Sequence, residues 1–113
     1  MEYEVVMGLE VHVELGTKTK LFCSCPNTFS TEPNVFCCPK CAGLPGAVGA
    51  LNEKAIELAS KAGLSLDCTI QNNSTFDRKH YFYPDLASAY QTTPFYRPIC
   101  VNGHVDLSDG SSI

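Results

Sequence analysis

Residues 36–46 read "FCCPKCAGLPG", with three cysteines in six positions ahead of a glycine-proline loop. Upstream, "LFCSC" at 21–25 holds Cys23 and Cys25 one residue apart. The spacing is therefore Cys23-x-Cys25, twelve residues, then Cys38-x-x-Cys41. Two close thiol pairs can supply four thiolates to tetrahedral zinc. Residues 22–46 are rich in Cys, Pro, Gly and Asn and have no clean periodicity. A loop this long cannot bury a core of its own, and a metal can fix it. Cys37, Cys68 and Cys100 fall outside the set and read as buried free thiols.

Three other readings compete with structural zinc. The thiols can be reduced and unliganded, but paired spacing favours a metal. A redox pair at Cys38 and Cys41 should sit between a strand and a helix, and it leaves Cys23 and Cys25 without a role. His12-Val13-Glu14 with Cys38-Pro39-Lys40-Cys41 partly matches the zinc-deaminase pattern. There, however, the proline precedes the cysteine pair instead of lying inside it.

The 113 residues are 44% apolar and 18% charged, which suits one small folded domain. A net charge of −4 argues against a domain that grips nucleic acid mainly through phosphates. It leaves room for a nucleic-acid substrate held by another domain or subunit. The acidic start "MEYEVVMGLE" is no signal peptide, and no apolar run reaches membrane-spanning length. These features point to the cytoplasm, with an organelle as the alternative, and to reduced thiols.

Residues 4–15, "EVVMGLEVHVEL", alternate with period two and read as a strand. Val5, Met7, Leu9, Val11, Val13 and Leu15 form one face. Glu4, Gly8, Glu10, His12 and Glu14 form the other. Neighbours on a face are about 6.5–7 Å apart, so Glu10 and His12 can lean toward one cation such as Mg²⁺. A solvated polar face of an edge strand is the simpler account of the same pattern. Residues 16–21 read as a turn into a second strand. Residues 52–62 read as a helix with Asn52 as N-cap and Gly63 at C′. "LSLDCTIQ" at 64–71 reads as a strand, and another runs to Tyr83, where Pro84 breaks it. Residues 95–107 read as a last hairpin with "NGH" at its turn.

"FDRKHYFYPD" at 76–85 mixes basic and aromatic side chains. Lys79 or Arg78 can hold phosphate oxygens, although snorkelling basic residues on a partly exposed strand look the same. Alternation separates Lys79 from Arg78 without saying which face works.

Taken in order, "VMGLEVHVEL", "LFCSC", "CPKCAGLPGA", "LN" and "STFDRKHYFYPDLASAYQ" resemble the N-terminal part of GatB, the B subunit of aspartyl/glutamyl-tRNA amidotransferase, from about Tyr3 to about Gly103. The resemblance implies an α+β fold: the first part of a glutamine-synthetase-like cradle domain. It would be mainly antiparallel sheet, with one clear helix and a zinc-stapled loop. Residues 1–113 would all belong to that cradle, and its later part, the helical domain and the tail domain would lie outside the chain. It implies a ligase that works with the A and C subunits of the same amidotransferase on misacylated Glu-tRNA(Gln) or Asp-tRNA(Asn). ATP and Mg²⁺ phosphorylate the side-chain carboxylate, and glutamine-derived ammonia displaces the phosphate. The tRNA is held mainly by the later domains.

By resemblance, Glu10 and His12 belong to the Mg²⁺ site and Glu14 lies outside the direct ligands. Lys79 contacts ATP phosphate, with Arg78 second. Cys23, Cys25, Cys38 and Cys41 match the structural zinc site of many members. The chain also departs from the family. "YFYPDLASAYQ" stands where "YFYPDLPKGYQ" is typical, placing Ala87, Ser88 and Ala89 in the motif, and Gly49 replaces a common proline. Losing a lysine at 88 should weaken phosphate or substrate binding. The isolated chain is expected to be inactive, since acidic residues that complete the metal site lie downstream. The alternative is a non-catalytic, zinc-stapled interaction module on the same scaffold.

Overall fold

A computed structural model describes residues 2–85 and 89–113. Ala87 and Ser88 lie outside the described residues. The elements are α1 (Glu53–Ser65), β1 (Thr69–Ile70), β2 (Thr75–His80), β3 (Tyr90–Arg97) and β4 (Cys100–Val101). The chain is a small α+β unit with one helix and antiparallel strand pairs among the described residues.

The helix begins where Asn52 caps it: its side-chain oxygen accepts from the Lys54 N–H at 3.0 Å. Lys54 and Lys61 both bind Glu57, at 2.7 and 2.6 Å, and hold its carboxyl down at about 2. The helix runs past Gly63, the residue that the sequence pattern sets just beyond its end. Gly63 is buried where α1 crosses the β1–β4 pair. A Cβ there would lie 2.4 Å from Cys100 Sγ and 3.2 Å from Ile70 Cδ1. The glycine thus permits a close approach, and the left-handed residue after the helix is Asp67, with φ of 52°.

β1 and β4 pair antiparallel, with Ile70 opposite Cys100. Between them in sequence, β2 and β3 make a separate antiparallel ribbon, with Asp77 opposite Thr93 and Lys79 opposite Gln91. From Thr75–Arg97 to Asp77–Thr93 the register slips, giving β3 extra residues there. Pro94 falls in that slip, where it has no N–H to donate. β2 stops at His80 rather than running to Tyr83. The expected strand at 64–71 survives only as Thr69–Ile70, because its first half completes the helix and its turn. Residues 95–107 do not form one hairpin. Their first part is the end of β3 and the rest includes β4, which joins the other sheet. The closing hairpin comes later: Val105 and Ile113 exchange backbone bonds at 2.8 and 3.1 Å around a turn at Asp109-Gly110.

The N-terminal reading needs the largest correction. Residues 4–15 form no ladder, and Val5, Leu9, Val11 and Val13 are exposed. A strand exists by pairing, and this segment pairs with none of the described strands, which form two two-stranded sheets among themselves. Met7 and Leu9 border a cleft of about 630 Å³ with Leu66, Cys68, Val105 and Ile113. The expected second strand at 16–21 is reduced to a bridge between Thr19 and Pro26. Among the described residues only Cys23 and Ala55 form buried apolar side chains. So small a core leaves the loop dependent on some other constraint. Of the three spare thiols expected to be buried, Cys37 is exposed and Cys68 and Cys100 are half-buried.

Candidate metal centre

Two tight reversals bring the thiols together. In the first, Lys20 N–H donates to Cys25 O and Asn27 N–H to Lys18 O, each at 3.0 Å. In the second, Ala42 N–H donates to Cys38 O at 2.9 Å and Leu44 N–H to Pro39 O at 3.0 Å. Gly43 and Gly46 take positive φ values of 69° and 79°, which lets the chain leave the second reversal without a Cβ clash.

The Sγ atoms of Cys23, Cys25, Cys38 and Cys41 all lie within 4.8 Å of one another. Cys38 and Cys41 are 3.8 Å apart. Zinc–sulfur bonds of about 2.3 Å in a tetrahedron require sulfur–sulfur edges of about 3.8 Å. The four residues therefore fit a tetrahedral thiophilic ion with little movement. Cys23, buried at 7% exposure, anchors the inner side, while Cys41 is exposed.

The electrostatics agree with that chemistry. Cys38 N–H donates to Cys41 Sγ at 3.1 Å, and this amide, chiefly, pulls the Cys41 thiol down to about 6. The backbone amide of Cys41 lowers Cys38 in turn. Cys25 is pushed up to about 12, first by its hydrogen bond with Cys38. Thiols this close cannot all ionise unaided, so one side gains charge as the other loses it. A divalent cation removes that conflict.

Supporting contacts tie the centre to the fold. Lys20 Nζ donates to Phe36 O at 2.7 Å and reaches Cys41 Sγ at 3.9 Å, joining the two reversals. Asn52 Nδ2 donates to Thr19 O at 3.1 Å and Thr19 Oγ1 at 2.9 Å, so the helix cap also grips the first reversal. Asn52 N–H donates to Leu21 O at 2.8 Å and Ala50 N–H to Phe22 O at 3.0 Å. Phe22 meets Phe76 of β2 edge-on at 5.2 Å. A Cβ on Gly49 would come 2.9 Å from Phe22 Cβ, so the close approach here requires glycine.

Beside the thiols is a cleft of about 710 Å³ bordered by Lys20, Lys40, Cys41, Asp77, Arg78 and Tyr90. The Arg78 guanidinium stacks 4.9 Å from the centre of the Tyr90 ring. Neither Lys20, Lys40 nor Arg78 pairs with a carboxylate among the described residues. Four thiolates around one divalent ion would leave excess negative charge, which cations bordering this cleft would offset.

The other sequence-predicted residues lie apart from this centre. Glu10 Oε2 and His12 Nε2 are 3.8 Å apart, as the shared face requires, and both side chains are well exposed. Lys79 stands on β2 opposite Gln91, on the other face from Arg78, and does not border the cleft. Among the described residues no hydrogen bond or ion pair joins Glu10 or His12 to Lys79 or Arg78. Sequence reasoning missed Lys20. Its signal is a lysine set just before a thiol pair, in a loop that must neutralise thiolates. Asn52 reads as a cap, and its second hold on Thr19 leaves no trace in the local pattern.

This geometry defines a class: an α+β domain with a four-cysteine loop that could hold a metal, braced by a helix cap. The pattern of the GatB/GatE catalytic domain matches residues 5–113, and the chain belongs to that family. Over 116 residues it is 55% identical to the B subunit of aspartyl/glutamyl-tRNA(Asn/Gln) amidotransferase from Brachyspira hyodysenteriae, covering 99% of this chain and 24% of that protein. It is 56% identical over 107 residues to the corresponding protein of Caldicellulosiruptor saccharolyticus, covering 95% and 22%. For Lawsonia intracellularis the values are 57% over 106 residues, 94% and 22%. The chain thus spans less than a quarter of the length of these relatives. No helix among the described residues is long and apolar enough to cross a membrane.

Proposed function

We propose that this chain is the first part of the catalytic cradle of a tRNA amidotransferase. The whole protein would work in the cytoplasm or an organelle with the A and C subunits of that enzyme. It would phosphorylate the side-chain carboxylate of misacylated Glu-tRNA(Gln) or Asp-tRNA(Asn), for displacement by glutamine-derived ammonia. The carrying observation is the family match across 5–113, which includes Glu10, His12, Arg78 and Lys79.

Each residue has a physical task in this reading. ATP bound with Mg²⁺ would supply the phosphoryl group and neutralise its charge. Glu10 and His12, 3.8 Å apart and exposed, would hold the Mg²⁺, with the carboxylate as the harder ligand. Lys79 offers a point charge to phosphate oxygens, and Arg78 offers a guanidinium held flat by Tyr90. Cys23, Cys25, Cys38 and Cys41 would hold zinc, whose role is to fix the loop beside β2. The 113 residues alone would be inactive.

The test uses the full-length protein assembled with its partners. Lys79→Met and Glu10→Gln should each lower ATP-dependent amide formation on misacylated tRNA by roughly 10²-fold or more, as loss of a charge-stabilising group does. Release of ammonia from glutamine by the amidase partner should persist. Unaltered amide formation in both variants would overturn the assignment.

A further inference from the structure

Cys37 is the thiol that the metal set leaves over. It is exposed, and its Sγ lies 3.8 Å from Cys41 Sγ, the same separation as between the ligands Cys38 and Cys41. Cys41 is exposed as well, whereas Cys23 on the inner side is buried. The metal loop therefore presents to solvent a fifth thiol already in van der Waals contact with one of its own ligands. A disulfide needs a sulfur–sulfur distance of about 2.05 Å, so less than about 2 Å of closure separates the pair from a bond. Both residues sit on one reversal, and that closure can be local.

We infer that Cys37 and Cys41 form an oxidation site that takes a hydroperoxide and gives up the metal. This rests on the reading of Cys23, Cys25, Cys38 and Cys41 as zinc ligands. Cys37 gives its proton to solvent, its thiolate attacks the outer peroxide oxygen, the O–O bond breaks, and the leaving oxygen takes a proton and departs as alcohol or water, with Cys37 as sulfenic acid. The Cys41 thiolate then attacks the Cys37 sulfur. The S–S bond forms, the S–OH bond breaks, and the departing hydroxide takes a proton from solvent as water. Two electrons pass from the two sulfurs to the peroxide, and no other reactant is needed. Cys23, Cys25 and Cys38 remain, one ligand short of a closed structural site. Lys20 loses its thiolate partner but keeps its bond to Phe36 O, so the reversal stays tethered and a thiol reductant can restore it.

The experiment treats the zinc-loaded, full-length protein with hydrogen peroxide. It follows zinc with a chromogenic chelator and maps disulfides by mass spectrometry after tryptic cleavage without reduction. Cleavage after Lys40 leaves Cys23, Cys25, Cys37 and Cys38 on one peptide and Cys41 on the next, so a bridge to Cys41 joins the two peptides and their fragment ions assign it to Cys37 or to Cys38. The wild type should release its zinc with a Cys37–Cys41 bridge and rebind it after dithiothreitol. Cys37→Ser and Cys37→Ala should start with the same zinc content and release it several-fold more slowly. Release at the wild-type rate in both variants, or a bridge confined to Cys38 and Cys41, would overturn the inference. Lower zinc in the untreated variants would also overturn it by making Cys37 a ligand. A wild-type protein without zinc before peroxide would instead sink the metal reading on which the inference rests.

Discussion

The loop at 22–46 and the alternating row at 4–15 are both conspicuous in the sequence, and they behave in opposite ways. The loop has no periodicity, yet it closes on itself through four thiols, a lysine bridge and the helix cap. The row has near-perfect periodicity, yet it joins no ladder among the described residues and stays exposed up to Leu15. Ligand geometry is satisfied within a short span of chain. A strand pattern states only which face would be buried, and the partner must come from elsewhere.

Removing one thiol of the cluster should have the largest effect. Structural zinc contributes apparent binding energies of about 10–16 kcal/mol in small domains. Cys23→Ser takes the buried ligand, so bound zinc should fall from one per chain toward none. The thermal transition should drop sharply or lose its cooperativity, as seen by calorimetry. A variant that stays metal-free, folded and equally stable would remove the basis of the contrast, since the loop would then need no staple.

The helix is where the two kinds of information meet. Gly63→Ala puts a methyl 2.4 Å from Cys100 Sγ, so it should destabilise by about 1–3 kcal/mol despite alanine's better helix propensity. Gly63→Ala combined with Cys100→Ala should recover much of that loss, and denaturant titration of the double-mutant cycle would measure the coupling. Additive losses would mean that Cys100 is not the obstacle. Asn52→Ala should cost about 1–2 kcal/mol, the upper part of the range for an N-cap, because the same side chain also holds Thr19. It should also loosen zinc. A stability loss with zinc affinity intact would show that the cap and the loop are independent.

These residues mark what is legible in the sequence. The helix, its cap and the four-thiol cluster can be read because each depends on neighbours within a few positions or on a thiol spacing. Gly63 reads as a stop signal because glycine at C′ and glycine at a helix–strand crossing look alike in one dimension. β4 reads as half of a hairpin with the wrong partner for a related reason. Its short run "CV" pairs with Thr69–Ile70 across the whole β2–β3 ribbon, and no local pattern encodes that distance. The faces of β2 are separable by alternation. Only the fold shows that Arg78, not Lys79, faces the cleft beside the thiols.

The smallest expected effect tests the other half of the contrast. Val11 is 82% exposed, so Val11→Ser in the 113-residue chain should change stability by no more than about 0.5 kcal/mol, the usual span for an open surface site. The same substitution in a chain as long as the relatives asks whether the row gains a cover there. Burying a valine side chain contributes about 1.5–3 kcal/mol, and most of that would then be lost. A large loss already in the short chain would mean that the row packs against its own domain, and that exposure is not what distinguishes it from the loop. A negligible loss in both lengths would leave the alternation as a solvated row. The informative quantity is therefore the difference between the two lengths, measured by matched denaturant titrations. It separates a pattern that awaits a partner from one that needs none.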